Sequence, residues 1–238
     1  MQLQGQVAIV TGAGTGIGRS TALAFAREGA AVVLAARTAS DLESVAGEIE
    51  AAGGQALAVP TDVSIEEQAE ALVKQTIDAF RRVDILVNNA GTNVRAPIDK
   101  VKTNDWRLIL GSNLDGTFFC TRAVIPRMTA QNFGKIINVS SGAGKRGSAT
   151  RAAYSAAKHA VVGFGDAVQK DLKNTGVSVS VVLPGPIHTP LRRRSVPDED
   201  PNLLISAQEV ADVILFLATR GKEVIIPEIA VYPRAFIR

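Results

Sequence analysis

One cysteine, Cys120, is all the thiol chemistry available to this chain of 238 residues. An intrachain disulfide is therefore excluded, and the apolar setting Thr117-Phe118-Phe119-Cys120 predicts a buried thiol in a reducing compartment. Histidine is almost as scarce. His159 and His188 stand far apart, with no cysteine or carboxylate at metal-ligand spacing to either, so no metal site is expected. No stretch stays apolar for the roughly 18 residues that a membrane helix needs. Nor does the N-terminus show a basic region, a long hydrophobic segment and a cleavage site. These absences predict a cytoplasmic protein with no membrane partner. A strong charge imbalance is missing too: the formal net charge is +3, and the basic residues are scattered apart from Arg192-Arg193-Arg194. Nucleic acid is not implied as a partner. Repeats and low-complexity linkers are absent, and the length suits one large domain, residues 1–238, better than two.

What the chain has in quantity is alternation. Short β-branched or apolar runs recur at Val7 to Val10, Ala31 to Ala35, Ala56 to Val59, Ile85 to Val87, Ile136 to Val139 and Val177 to Leu183. Near-continuous apolar runs of this length read as strands of a parallel sheet buried on both faces. Longer amphipathic stretches lie between them, roughly Ile17 to Glu28, Ser40 to Ala52, Glu66 to Arg81, Asn104 to Met128 and Arg151 to Asn174, and these predict helices. Steady alternation with right-handed crossovers implies an α/β fold, a doubly wound parallel sheet of Rossmann type flanked by helices in a single domain. The proline-rich segment from Pro184 to Leu204 is the least regular, and a substrate loop is expected there, at about residues 184–205.

A strand ending at Val10 is followed by Thr11-Gly12-Ala13-Gly14-Thr15-Gly16-Ile17-Gly18 and then a helix. That order aims backbone N–H groups and a helix N-terminus at a phosphate, with Gly12, Gly16 and Gly18 allowing a tight turn and close approach. The spacing is T-G-x-x-x-G-x-G, which differs from the general G-x-G-x-x-G fingerprint of dinucleotide sites. After the second strand comes Leu34-Ala35-Ala36-Arg37-Thr38, with no carboxylate before Asp41. An acid there would hold the ribose hydroxyls of NAD, whereas the guanidinium of Arg37 suits the 2′-phosphate of NADP. NADP(H) is therefore the preferred cofactor, with NAD(H) the second choice.

Tyr154-Ser155-Ala156-Ala157-Lys158 lies thirteen residues after Ser141. Residues four apart share a helix face, so the Tyr154 phenol and the Lys158 ammonium can point into one cleft, where a nearby cation favours the phenolate. Taken with Asp62-Val63, Asn88-Asn89-Ala90-Gly91, Asn113, Ser140-Ser141 and Pro184-Gly185-Pro186-Ile187-x-Thr189, the chain resembles the short-chain dehydrogenase/reductase family over nearly its whole length. The resemblance implies that Asn113, Ser141, Tyr154 and Lys158 are catalytic. Tyr154 would exchange a proton with the substrate oxygen and Ser141 would hydrogen-bond it. Lys158 would bind the nicotinamide ribose and lower the tyrosine pKa, and Asn113 would hold a water connecting Lys158 to solvent. It implies further that Gly12, Thr15, Gly16, Ile17 and Gly18 cradle the cofactor and that Asp62 and Val63 hold its adenine. Asn89, Ala90 and Gly91 would border it, and Pro184, Gly185, Ile187 and Thr189 would lie at the nicotinamide end.

The expected activity is NADP(H)-dependent, reversible reduction of a ketone or aldehyde. The alternative is a 3-oxoacyl-thioester (acyl carrier protein) reductase, against which the C-terminal stretch Tyr232 to Arg238 lacks the usual glycine pair. A non-catalytic dinucleotide-sensing protein is the third reading. Arg192 to Arg194, Arg146 and Arg151 are candidate contacts for an anionic substrate. By resemblance the protein would assemble as a homo-tetramer or homo-dimer through the long helices.

Overall fold

The computed structural model describes residues 1–236; Ile237 and Arg238, the end of the expected domain, lie outside the described residues. The strands are β1 (Val7–Thr11), β2 (Ala31–Ala36), β3 (Gln55–Pro60), β4 (Ile85–Asn88), β5 (Gly134–Val139), β6 (Val177–Pro184), β7 (Ile187–His188), β8 (Ile205–Ser206) and β9 (Glu228–Val231). The helices are α1 (Gly16–Arg27), α2 (Ala39–Ala51), α3 (Glu66–Phe80), α4 (Thr103–Leu110), α5 (Gly116–Gln131), α6 (Ala152–Asp171), α7 (Pro190–Ser195) and α8 (Ala207–Ala218). Seven strands form one parallel sheet in the order β3-β2-β1-β4-β5-β6-β9, and β7 and β8 form a small separate pair. The order runs outward in both directions from β1 and β4, so the chain switches direction between those two neighbours. In such sheets a crevice opens at the strand C-terminal ends beside the switch point.

Strand alternation builds a core on each face. Ala8 and Val10 of β1 join Phe25, Val32, Leu34, Ile49 and Ile214 on the side covered by α1, α2 and α8. Val7 and Ile9 join Val33, Leu72, Leu86, Val124 and Met128 on the side covered by α3 and α5. Every residue of β1, β4, β5 and β6 is buried, which is why these runs carry almost no exposed polar positions. Cys120 lies in the second core, where burial pushes its thiol pKa up to about 12 and leaves it unreactive at neutral pH. Among the described residues no helix is long and apolar enough to cross a membrane.

The local structure departs from the sequence reading at four places. The helix expected from Asn104 to Met128 is divided by a π turn, Gly111–Asp115, between α4 and α5. At that turn Asn113 Nδ2 donates to the carbonyl of Ile109, 2.9 Å away, a side-chain insertion of the kind that widens a helix locally. The run from Glu223 to Val231, interrupted by Pro227, reads as one last strand, but only β9 forms. Pro227 cannot donate to the ladder, although its carbonyl accepts from Val181 N at 2.9 Å, and Val224 and Ile225 are exposed. Helix α8 was not anticipated, yet its start is written in a capping box, with Ser206 and Glu209 each bonding the other's backbone N–H. The segment from Pro184 to Leu204, expected to be irregular, holds β7, α7 and a single 3₁₀ turn.

Candidate active site

Thr11 ties the glycine loop to the centre of the sheet. Its hydroxyl donates to Val87 O (3.2 Å) and accepts from Asn89 N and Ala90 N, both at 3.0 Å. Asn89 Nδ2 completes the clamp by donating to Thr11 O (2.9 Å). Two segments far apart in sequence are thereby pressed together, and only glycine fits the contact. A Cβ on Gly12 would lie 2.8 Å from Asn89 Nδ2, and Gly12 and Gly16 both have positive φ, at 65° and 56°. Helix α1 starts at Gly16 with no acidic residue in its first turn, and Thr15 caps it without using its side chain. Both features leave the N-terminal N–H groups and their partial positive charge facing the crevice mouth.

Asn113 is fully buried at the π turn. Its Nδ2 donates to Thr92 O (2.8 Å) as well as to Ile109 O, while its Oδ1 has no hydrogen-bond partner among the described residues. A Cβ on Gly91 would overlap that same Oδ1, so Gly91 lets the loop after β4 pass directly against Asn113. Ser141 follows β5 and caps the 3₁₀ turn Gly142–Gly144, its Oγ accepting from Ala143 N at 3.1 Å. Ser140 Oγ donates to Lys158 O (2.9 Å), fastening the end of β5 to α6. On α6, Tyr154 and Lys158 share one buried face as their spacing predicts. Tyr154 packs with Ile109, Ala143, Ala153 and Ala157.

The electrostatics differ from the expectation that Lys158 lowers the Tyr154 pKa. Lys158 Nζ donates to Val139 O at 2.8 Å and lies 5.7 Å from the Tyr154 ring centroid. Burial lowers the Lys158 pKa to about 8. Burial raises that of Tyr154, opposed by the charge of Arg151, by Ser141 and by the charge of Arg192. The Arg151 guanidinium carbon is 4.6 Å from the tyrosine ring centroid, so the nearest cation to Tyr154 is one that the helix spacing did not single out.

These groups line a cleft of about 980 Å³ at the C-terminal edge of the sheet. It brings together Asn113, Ser141, Tyr154 and Lys158 with Ile17, Asn89, Gly91, Pro184, Gly185, Ile187 and Thr189. Gly12, Thr15, Gly16, Gly18, Arg37, Asp62, Val63 and Ala90 lie outside its lining. Gly18 is packed against Gly12, and Arg37 is exposed just beyond β2. Asp62 accepts from Ser64 N (3.0 Å) and Ser64 Oγ (2.6 Å), and the Val63 side chain is buried against Gly116. Thr189 caps α7 by accepting from Arg192 N at 3.2 Å. Asn93, Arg95 and Tyr232 also line the cleft, and sequence reasoning did not place them there. Tyr232 was noted only as part of an unusual C-terminus, and it lies over Gly142 and Gly185. His159 Nδ1 lies 2.8 Å from Ser155 O and His188 is exposed. Among the described residues no group of three or more His, Cys, Asp or Glu is placed to share a metal ion.

A parallel sheet with a glycine turn at its switch point, and a Ser, Tyr, Lys set at the adjoining strand ends, defines a Rossmann-type oxidoreductase. The family model for short chain dehydrogenase matches residues 6–200. The chain is 42% identical over 225 residues to a 3-oxoacyl-[acyl-carrier-protein] reductase of Synechocystis sp., covering 91% of this chain and 90% of that one. It is 39% identical to a (2S)-[(R)-hydroxy(phenyl)methyl]succinyl-CoA dehydrogenase subunit of Thauera aromatica, over 92% and 91% of the two chains. Among solved structures, a metagenomic short-chain oxidoreductase in complex with NADP superposes with a TM-score of 0.87 at 36% identity, covering 98% of this chain and 99% of that one. This chain belongs to the short-chain dehydrogenase/reductase family, whose members are oxidoreductases that use a nicotinamide dinucleotide.

Proposed function

We propose that the protein reversibly reduces a ketone or aldehyde to the alcohol with NADP(H) as its preferred cofactor. The observation carrying this reading is the convergence of Ser141, Tyr154 and Lys158 in one cleft, with Asn113 behind them. The residues present fit a dinucleotide. Gly12 and Gly91 let the loops after β1 and β4 pack closely beside the cleft, α1 offers an uncompensated N-terminus, and the buried Asn113 Oδ1 lacks a partner among the described residues. Gly12, Thr15, Gly16, Ile17 and Gly18 would hold the pyrophosphate and Arg37 the 2′-phosphate. Asp62 and the Val63 backbone would face the adenine, and Asn89, Ala90 and Gly91 would border the ribose side. Pro184, Gly185, Ile187 and Thr189 would receive the nicotinamide end, with Tyr154 and Lys158 on the adjoining ribose. Bound there, the cofactor supplies the hydride.

Tyr154 donates its phenolic proton to the substrate oxygen in reduction and takes it back in oxidation. The burial that raises its pKa keeps it protonated near neutrality, which is the state a donor requires. Ser141 Oγ already accepts from Ala143 N, so its hydroxyl proton is available to the same substrate oxygen and fixes its position. Lys158 would supply positive charge near the phenol, 5.7 Å from its ring centroid, and Asn113 would hold a water connecting Lys158 to solvent. Because burial lowers Lys158 from 10.5 to about 8, the ammonium is present below that pH and lost above it. We therefore expect kcat/KM for reduction to fall above about pH 8. A pH profile that stays level to pH 10 would contradict this.

Arg37→Asp tests the cofactor. Losing charge-assisted hydrogen bonds to a phosphate and gaining a repulsive carboxylate should lower the NADPH-to-NADH ratio of kcat/KM by roughly 100-fold. An unchanged ratio would place the phosphate elsewhere. One observation favours NAD(H) as the second reading: Asp41 lies directly against Gly14, so a carboxylate already adjoins the glycine loop.

A 3-oxoacyl thioester is the second substrate reading, favoured by the similarity to the Synechocystis reductase. Titration with NADPH and NADH followed by a panel of ketones, aldehydes and acetoacetyl thioesters separates the two. Binding without turnover of any member would support the sensing alternative. Trp106 and Leu108 of α4 and Phe118 of α5 are exposed, apolar surface that a second copy would cover in a homo-dimer or homo-tetramer.

A further inference from the structure

The wall of the cleft beside Tyr154 is positively charged beyond what its own carboxylates balance. Arg95, Arg146, Arg151, Arg192, Lys145 and Lys158 line it, against Glu228 as the one carboxylate among the lining residues described. Two of the cations are matched. Lys145 Nζ pairs with Glu228 at 2.7 Å, and Arg192 forms a fork with Glu199, with Nε to Oε2 at 2.6 Å. Arg95 and Arg151 are different. Arg95 spends its hydrogen bonds on neutral acceptors, Thr150 Oγ1 and Ser195 O, both at 3.2 Å, so its charge is not neutralised. Arg151 is half-buried against the Tyr154 ring, and its Nε is buried with no hydrogen-bond partner among the described residues. Burial, with the like charges of Arg192 and Arg95, works against its protonated form and outweighs the opposing influence of Tyr154 and of Glu199, which is itself held in the fork with Arg192. A half-buried guanidinium left unpaired in such a field is costly, and an anionic ligand entering the cleft would remove the cost.

We propose that the carbonyl substrate carries a carboxylate and that Arg151, flanked by Arg95, receives it while the carbonyl oxygen lies at Ser141 and Tyr154. This rests on the reading of the cleft as a carbonyl reductase site and names its substrate class. The planar guanidinium matches a carboxylate with two parallel N–H bonds, which a point charge cannot do. Because the guanidinium carbon stands 4.6 Å from the centroid of the tyrosine ring that carries the proton donor, a short linker between carboxylate and carbonyl suits the site. Arg151 also bears on the Tyr154 pKa, so a test must separate the two roles. An effect through Tyr154 alone would change all substrates together, whereas anion recognition distinguishes charged from neutral ones.

The probes are 2-, 3- and 4-oxo acids, each paired with its methyl ester, reduced with NADPH by the full-length protein. For at least one pair the acid should exceed the ester in kcat/KM by about ten-fold or more, the discrimination expected of one well-formed charge-assisted contact. In Arg151→Gln the acid-to-ester ratio should fall toward one, whatever happens to the absolute rates, and Arg151→Lys should retain part of it. Arg95→Gln, at an exposed position, should lower the same ratio and provides a second variant should the first not fold. Esters reduced as well as the acids throughout, or a ratio that survives Arg151→Gln, would overturn the proposal while leaving the reductase reading intact. If neither acids nor esters nor any neutral ketone or aldehyde is reduced, the reductase reading fails and the proposal falls with it.

Discussion

Tyr154→Phe is expected to lower turnover by about 10²–10⁴-fold while NADPH binding remains close to that of the unchanged protein. The substitution removes one oxygen and leaves the ring where it is, packed with Ile109, Ala143, Ala153 and Ala157. No cavity forms, so stability should change little. What is lost is the group that, in the proposed mechanism, would deliver a proton to the substrate oxygen. Ser141 can still hydrogen-bond that oxygen, but it lacks a base or acid beside it that could take over the transfer. Arg151 and Lys158 remain charged and cannot replace a phenol of matched geometry. NADPH consumption in steady state and fluorescence titration of the cofactor check the two halves separately. Near-normal turnover in the variant would remove Tyr154 from the role, and a parallel loss of cofactor binding would make its part structural.

Gly18→Ala is expected to have a large effect on folding. A Cβ at Gly18 would overlap the carbonyl oxygen of Gly12 and lie 2.6 Å from Asn89 Nδ2. Both neighbours are pinned by the network that joins Thr11 to Asn89 and Ala90, so neither can retreat without breaking it. Overpacking of backbone against backbone should cost about 3 kcal/mol, which lowers Tm by roughly 6–12 °C in a chain of this size. Cofactor binding should suffer as well, because the same loop shapes the N-terminus of α1. Gly47→Ala is the control. It lies exposed within α2 with nothing within 4 Å of its would-be Cβ, so it should stabilise by about 0.5–1 kcal/mol. Thermal unfolding of the two variants side by side would show whether close packing or helix propensity decides the sign. A Gly18 variant as stable as the parent would mean that the loop can open without cost.

Much of the fold was legible because its signals are local. Strands buried on both faces are mostly apolar, and β1, β4, β5 and β6 announce themselves by their apolar and β-branched runs although Thr11, Asn88, Lys135, Asn138, Ser178 and Ser180 are buried among them. The Tyr154 and Lys158 pair was legible for a similar reason, since a four-residue spacing has only one meaning on a helix. Helix α8 was missed although its capping box is written in Ser206 and Glu209, a signal that could have found it. The π turn at Asn113 was not legible. It depends on where an amide side chain finds a carbonyl within the folded helix, and the Asn104 to Met128 pattern continues smoothly across it.

The amino-acid sequence by itself determined the doubly wound sheet, the glycine turn and the shared face of Tyr154 and Lys158, because each follows from periodicity or from spacing within one element; Asn113 and Ser141 stood out only through the resemblance to the family. The tertiary structure alone decided the electrostatics of the cleft. It carried Arg95 to within reach of Ser195 and laid Arg151, at the start of α6, across the ring of Tyr154, while Lys158, one turn further along the helix, turned to the carbonyl of Val139. The contacts of Arg95 with Ser195 and of Lys158 with Val139 join different elements, and even the local contact of Arg151 with Tyr154 takes its effect from burial and from distance in space, neither of which is recorded in the order of residues.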